Sequence, residues 1–386
     1  MNEAVGTLES ESRTRSTIGH LKGLYYLALT ETCERFSYYG MTSLVVLYMA
    51  NELLLRGHVE TIAGFTGFRA ALETVFGPLS TQALASQIFG LFTGSAYFAP
   101  VLGGLIADRW IGHRNAVAIG AVLICAGHLA MVFDQAFLLA ILLLIVGCGL
   151  LKRNIASQVG ALYAENDEFR RARGFTIFSM GINIGATLGP IVCGLLALRY
   201  GWHVAFGCAA AFMFSGLVIY LSGGRYLTMR TAHKAGETRA LTAVEWRRTV
   251  TVVAVLAITV FQSIAYFQSF NTISIWIQGH VDLGISGFTI PVPWFNSVDP
   301  IFSILGVPAL FALWRWQATR GGEPGDLDKI GIGAWMSAGA NLVLVLAITV
   351  TGGESVSPVW PFLYFAALGV AFLHYWPTTL ASMPLS

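Results

Sequence analysis

Apolar residues run in long blocks along this chain, and polar residues gather in short breaks between them. Ten blocks reach about 20 residues, the length a helix needs to cross the roughly 30 Å hydrocarbon core of a bilayer: 22–50, 86–108, 115–133, 136–160, 174–198, 203–223, 249–276, 292–316, 330–350 and 358–380. Their apolar positions are continuous or follow the 3.6-residue period instead of alternating, which predicts a helical bundle and not a β-barrel. Six blocks follow one another closely over 22–223, and a polar stretch from Gly223 to Arg248 then interrupts the pattern. The expected organisation is therefore a tail over 1–21, a six-helix bundle over 22–223, a linker over 224–248 and a four-helix bundle over 249–386. The connection from Asn51 to Ala85 is long, and its amphipathic piece around Thr66 to Phe76 is expected to lie on a membrane surface.

Composition supports the membrane reading, since 55% of residues are hydrophobic and 11% charged, and mean hydropathy is +0.66. Such a chain has too few charges to cover a water-exposed surface. Seventeen of the 23 Lys and Arg residues fall on one side if the N-terminus is cytoplasmic, against Arg56, Arg69 and Arg199 on the other. The positive-inside rule then places both termini in the cytoplasm and the protein in the cytoplasmic (inner) membrane. A net charge of +2 reflects this loop bias and gives no reason to expect a nucleic-acid partner. The lipid bilayer is the expected surrounding. Cys33, Cys125, Cys148, Cys193 and Cys208 sit inside predicted spans at no metal-ligand spacing, so packing is their expected role. The first 20 residues lack an apolar core, so the first helix is expected to direct insertion without a cleaved signal.

Charge inside the first span is the candidate chemistry. At about 100° per residue, Glu31, Glu34, Arg35 and Tyr38 share one stripe of the helix. Facing lipid, each ionised group would cost about 2.5–3.5 kcal/mol or more, so the stripe must face protein. Two acids beside one arginine suit a proton site, in which one carboxylate keeps the cation and the other takes up a proton. The alternative is a static ion pair that fixes helix packing. Lys152, a further cation in the fourth span, favours the first reading. At the end of the second span, Gly103 and Gly104 permit close helix approach, and Asp108, Arg109 and Arg114 follow in a short turn. This order resembles the gating loop of major facilitator proteins, while ordinary loop charge is the plainer reading.

The whole pattern resembles the proton-dependent oligopeptide transporter (POT) family of the major facilitator superfamily. The first span carries the family pattern Glu-x-x-Glu-Arg-Phe-x-Tyr-Tyr-Gly over Glu31 to Gly40. Further matches are Tyr97 and Pro100, Gly-x-Gly-x-x-Lys-x-Asn from Gly147 to Asn154, Gly160 to Tyr163, Gly174 to Phe178, and Gly181 to Ala186 with Pro190. Gly201-Trp202-His203, Gln268, Trp294 to Pro300 and Val356 to Trp360 complete the set, so the resemblance runs from Leu24 to about Pro377. It implies an all-α major facilitator fold and proton-coupled symport of di- and tripeptides, with Glu31 and Glu34 as the proton-coupling acids. It further implies that Arg35, Tyr38 and Lys152 receive the peptide carboxylate, that Tyr97 lines the pocket, and that Asn183 binds the amino-terminal end. Gln268 and Asp299 join the substrate-binding set, and Asp108, Arg109 and Arg114 the gate. A packing role for either tyrosine, and a helix-to-helix hydrogen bond for Asn183, remain the simpler alternatives.

Departures from the family change the expected mechanism. The arginine usual two residues after the Tyr-Tyr-Gly glycine is Thr42, and the acid usual before the helix 7 glutamine is Phe267, so both halves of an outer gate pair are absent. The helix 10 glutamate aligns with Phe372, and the helix 8 asparagine with Asp299. Asp299 is therefore expected to take over ammonium binding or lysine pairing, with capping of the turn before Pro300 as the alternative. Arg153 stands where proline is usual. The chain ends at Ser386 with about ten helices, so helices 11 and 12 of the usual twelve are expected to be missing, together with the pair many bacterial relatives insert between the halves. Two other functions stay open: transport of a different small substrate such as nitrate, and a truncated, non-transporting peptide-binding membrane protein. No nucleophile-base pair, metal-spaced cluster or phosphate loop appears, so no enzyme activity, metal or cofactor is expected beyond the proton.

Overall fold

The structure, a computed structural model, describes residues 22–164, 167–227, 242, 246–247, 250, 260, 263–322 and 324–382. The expected tail over 1–21, most of the expected linker and most of the block 249–276 lie outside the described residues. The chain divides into two units, Met1–Gly236 and Glu237–Ser386.

In unit 1 the order is α1 (Lys22–Tyr48), α2 (Phe65–Phe76), α3 (Thr81–Ile106), α4 (Gly112–Ala130), α5 (Phe137–Ala161), α6 (Glu168–Tyr200) and α7 (Trp202–Ser222). Local chemistry marks several boundaries. The Ser80 hydroxyl accepts the Ala83 N–H at the start of α3, and the Asp167 carboxylate accepts the Arg170 N–H at the start of α6. A π-helical turn over Ala107–Ile111 ends at Gly112, whose φ of 76° turns the chain into α4. In the surface helix α2, Arg69 Nε donates to Glu73 of the same helix at 2.9 Å. That bond and the Leu79 N–H hold the Glu73 carboxyl below its usual range.

Helix α1 is the centre of unit 1, packed on α6 and α7, while α5 lies against α3 and α4. Close approach comes from small residues. Gly181, Gly185 and Gly189 line the face of α6 that meets α1, and a Cβ on Gly185 would stand 2.5 Å from the Thr32 carbonyl oxygen and 2.7 Å from Arg35 Cβ. On the other side, a Cβ on Gly103 of α3 would land on the Gly149 carbonyl of α5. The outward faces are apolar, with Phe98, Val122, Leu139 and Leu142 all exposed. Such surfaces suit hydrocarbon.

Unit 2 contains α8 (Thr272–His280), a hairpin of β1 (Gly284–Ile285) and β2 (Phe288–Thr289), α9 (Pro293–Asn296), α10 (Val298–Thr319), α11 (Asp326–Thr351) and α12 (Val359–Ser382). Gly284 pairs with Thr289 across the hairpin. Helix α12 packs on both α10 and α11.

Helices α1, α3 to α7 and α10 to α12 coincide with nine of the ten apolar blocks. Among the described residues, six helical stretches are both long and apolar enough to cross a membrane, one of them, Thr81–Ala130, running α3 and α4 together. The seventh block departs from expectation. Helix over 263–267 gives way to a 3₁₀ turn at Gln268–Phe270, Asn271 has φ −115° and ψ −104°, and α8 starts afresh. Side chains compensate at the break: the Ser269 carbonyl accepts from the Ser274 hydroxyl at 2.8 Å and from Asn296 Nδ2 at 3.2 Å. A broken helix survives at membrane depth only where protein or a polar cavity surrounds it.

Candidate functional site

The stripe on α1 is buried as its cost in lipid demands: Glu31, Glu34, Arg35 and Tyr38 are 3%, 0%, 7% and 2% exposed. Arg35 Nε stands 2.9 Å from Glu31 Oε1 and 2.5 Å from Glu34 Oε2, so both acids converge on one guanidinium nitrogen. The remaining oxygens, Glu31 Oε2 and Glu34 Oε1, have no hydrogen-bond partner among the described residues. These two oxygens are open to a further donor.

Lys152 is held differently. Its Nζ lies 3.9 Å from the centre of the Tyr38 ring and 4.8 Å from that of Tyr97, and it makes no hydrogen bond among the described residues. Arg35 Cζ lies 5.6 Å from the same Tyr38 ring. One phenol ring therefore stands near both cations. Ring faces attract a desolvated ammonium by about 2 kcal/mol, and they leave its three N–H groups without strong acceptors. An arriving carboxylate would supply what the ammonium lacks.

Tyr97 is exposed, with its ring toward Lys152. Asn183 is half-buried and its Nδ2 donates to the Ser179 carbonyl of its own helix at 3.1 Å, so the described bond is not a helix-to-helix one. Thr42 is buried and donates to the Tyr38 carbonyl at 2.6 Å. Arg153, unexplained by sequence, lays its stem over Gly104: a Cβ there would stand 2.7 Å from Arg153 Cδ.

Beyond the α3 end, Asp108 Oδ1 pairs with His113 Nε2 at 3.3 Å, while Arg109 is exposed. The Arg114 guanidinium lies over Gly224, whose added Cβ would meet Nη2 at 2.5 Å. The acid of the expected gate thus pairs with a histidine among the described residues. His113 continues into a polar chain: Nδ1 meets Asn154 Oδ1 at 2.7 Å, Gln158 Nε2 donates to the His113 carbonyl at 3.2 Å, and the Tyr220 hydroxyl donates to the Arg114 carbonyl at 3.2 Å. Asn154 stood in the sequence pattern. His113, Gln158 and Tyr220 were missed because contacts between helices carry no local spacing signal.

In unit 2, Asp299 is 6% exposed in the first turn of α10. Its Oδ2 accepts from the Tyr266 hydroxyl at 2.6 Å and its Oδ1 from the Ser303 hydroxyl at 3.3 Å. The Tyr266 donor comes from outside α10, and the Ser303 donor from the next turn of the same helix. Phe267 and Phe372 both pack on Tyr266, with ring centres 5.4 and 6.3 Å away. Two aromatic rings thus flank the phenol that holds Asp299. Gln268 bonds locally, accepting from the Thr272 hydroxyl at 2.6 Å.

The family model PTR2, described as the POT family, matches residues 114–235 and 225–351. A peptide transporter of Yersinia enterocolitica, YePEPT, is 27% identical over 96% of this chain and 83% of its own length. A di-/tripeptide transporter of Lactococcus lactis is 26% identical over 93% of this chain and 82% of its own. Among solved structures, a peptide transporter POT variant in complex with sulfate has a TM-score of 0.74 at 27% identity, covering 94% of this chain and 82% of that one. A variant in complex with alafosfalin has a TM-score of 0.73 at 28% identity and the same coverage. With its buried acid-arginine cluster, its helical membrane architecture and a family match over more than half its length, this chain is a multi-pass membrane protein of the POT family.

Proposed function

We propose that the protein is a symporter in which inward proton movement drives uptake of di- and tripeptides across the cytoplasmic membrane. The observation that carries this reading is the unequal partnering of two neighbouring cations: Arg35 is shared by two acids, whereas Lys152 rests on tyrosine rings. Protonation of Glu31 or Glu34 would loosen Arg35 and free it, beside Lys152 and the Tyr38 hydroxyl, for a peptide carboxylate. Tyr97 would line the same pocket, and Asn183 and Gln268 would offer amides to the peptide ends without adding charge. Loss of the proton inside would return the acids to Arg35 and expel the carboxylate. Alternating access by rocking of two bundles around a midplane site is the motion such transporters use. Asp108, Arg109 and Arg114 would guard the inner side, and the charge bias of the loops supports cytoplasmic termini. The proton is the only coupling species this scheme requires. None of these steps makes or breaks a covalent bond in the substrate, so the scheme is one of transport and not of enzymatic conversion.

Asp299 fits a complementary role as the carboxylate that meets the peptide ammonium, since hydroxyl donors position it without neutralising it. Proteoliposomes with an inward proton gradient test the whole reading. Labelled dialanine should accumulate, and should be lost on adding a protonophore, while nitrate should not compete. Nitrate uptake without dialanine uptake would assign a different substrate, and dialanine binding without gradient-driven uptake would assign a receptor. Asp299→Asn is expected to raise the apparent KM for dialanine by roughly tenfold or more, the loss of one buried charge-assisted contact. Unchanged transport by Asp299→Asn would remove Asp299 from the site.

A further inference from the structure

Far from the helix α1 acids, four chain segments of unit 1 meet at one carboxylate. Asp134, in the turn between α4 and α5, accepts from the Tyr48 hydroxyl at the end of α1 at 2.5 Å. Its Oδ1 faces His203 Nε2, in the first turn of α7, at 2.8 Å, and its Oδ2 faces His58 Nδ1, in the loop after α1, at 3.2 Å. Tyr48 adds an edge-on contact to the His203 ring, with centres 5.8 Å apart. The same loop is tied to the same turn by the Ala63 N–H, which donates to the Gln135 carbonyl at 3.1 Å. Tyr48 lies 14 residues beyond Glu34 on α1, about 21 Å along the helix, so this cluster is separate from the acid-arginine site.

We propose that Asp134, His58 and His203 form a second protonation site, which latches the far end of α1 to α5 and α7 when the solution at that end is acidic. Both imidazoles direct a ring nitrogen to the same carboxylate, yet neither ring is sealed off: the His58 and His203 side chains are 48% and 37% exposed. They can exchange protons with the solution. With both rings neutral the trio carries one negative charge. The first proton balances it, so that donor and acceptor of one hydrogen bond then both carry charge. Acidification of the solution at that end therefore tightens the contact. Other charged or titratable groups on the surrounding elements are Glu52 after α1, Arg56 and Glu60 in the loop, His128, buried in the last turn of α4, and Arg199 and Tyr200 at the end of α6. Glu60 is engaged by the Gly57 N–H at 2.7 Å. Among the described residues the ion pairs of Asp134 are with His58 and His203.

The latch does not depend on what is transported, and its test needs no transport. Amide hydrogen exchange of the purified protein in lipid nanodiscs, corrected for intrinsic rates, would follow peptides covering 44–64, 130–140 and 200–208 at pH 5.5 and 7.5. Acidification should slow exchange in these peptides at least about threefold relative to an internal peptide of α6. His58→Gln with His203→Gln keeps a donor at each position but removes the charge change, and should abolish the difference. The single variant His58→Gln, at an exposed position, should reduce it by about half if the rings act independently. Equal protection at both pH values in the parent overturns the proposal, as does a pH difference that survives in the double variant.

Discussion

Arg35→Ala is expected to destabilise the protein by about 3–5 kcal/mol at pH 7.5, because it leaves two buried carboxylates without their shared cation. The geometry makes the loss unusually direct: Glu31 and Glu34 both reach Arg35 Nε, and no other ion pair holds either acid among the described residues. Thermal unfolding in detergent micelles measures the effect. Adding Glu31→Gln and Glu34→Gln to Arg35→Ala should restore most of the loss, since amides carry no charge to strand. Arg35→Lys keeps the charge without the planar guanidinium and should fall between. If Arg35→Ala unfolds at the parent temperature at pH 7.5, the cluster is not the electrostatic unit described above.

The second large effect concerns the main chain behind that cluster. Gly185→Ala places a Cβ 2.5 Å from the Thr32 carbonyl oxygen and 2.8 Å from the Phe36 N–H nitrogen. Backbone cannot yield as a flexible side chain does, so α1 and α6 must separate, at a cost of about 3 kcal/mol or more. The same contact includes Arg35 Cβ at 2.7 Å, so the guanidinium moves with the helix. Stability and dipeptide affinity should therefore fall together. Gly94→Ala is the matched control, because a Cβ there meets nothing within 4 Å, and it should change stability by about 0.5 kcal/mol or less. Equal melting temperatures for the two variants would mean that the α1–α6 contact is looser than the structure has it.

Much of this was readable from residues alone, and the reason differs by feature. Apolar blocks longer than a soluble helix needs locate the helices, because lipid forces every backbone group into internal bonding. The stripe Glu31, Glu34, Arg35 and Tyr38 could be oriented from helix geometry, because all four residues share one element. What pattern could not supply is pairing between elements. Lys152 reads as an unmatched cation until the rings of Tyr38 and Tyr97 are brought to it from two other helices. Arg153 makes sense only when Gly104 is seen beneath it, and Asp299 only when Tyr266 is brought across unit 2. The break at Gln268–Asn271 was hidden for a related reason. Its stabilising bonds come from Ser274 and Asn296, one of them 27 residues away.

The ring-bound ammonium of Lys152 has a consequence for timing. A carboxylate can be switched off by a proton, so the hold on Arg35 answers to acidity. The π face of a tyrosine has no such switch, so the hold on Lys152 is the same on both sides of a pH gradient. In the proposed cycle the two cations would obey different keys, one opened by protons and the other by a competing anion. That arrangement would set an order: acid would prepare the first lock, and cargo would turn the second.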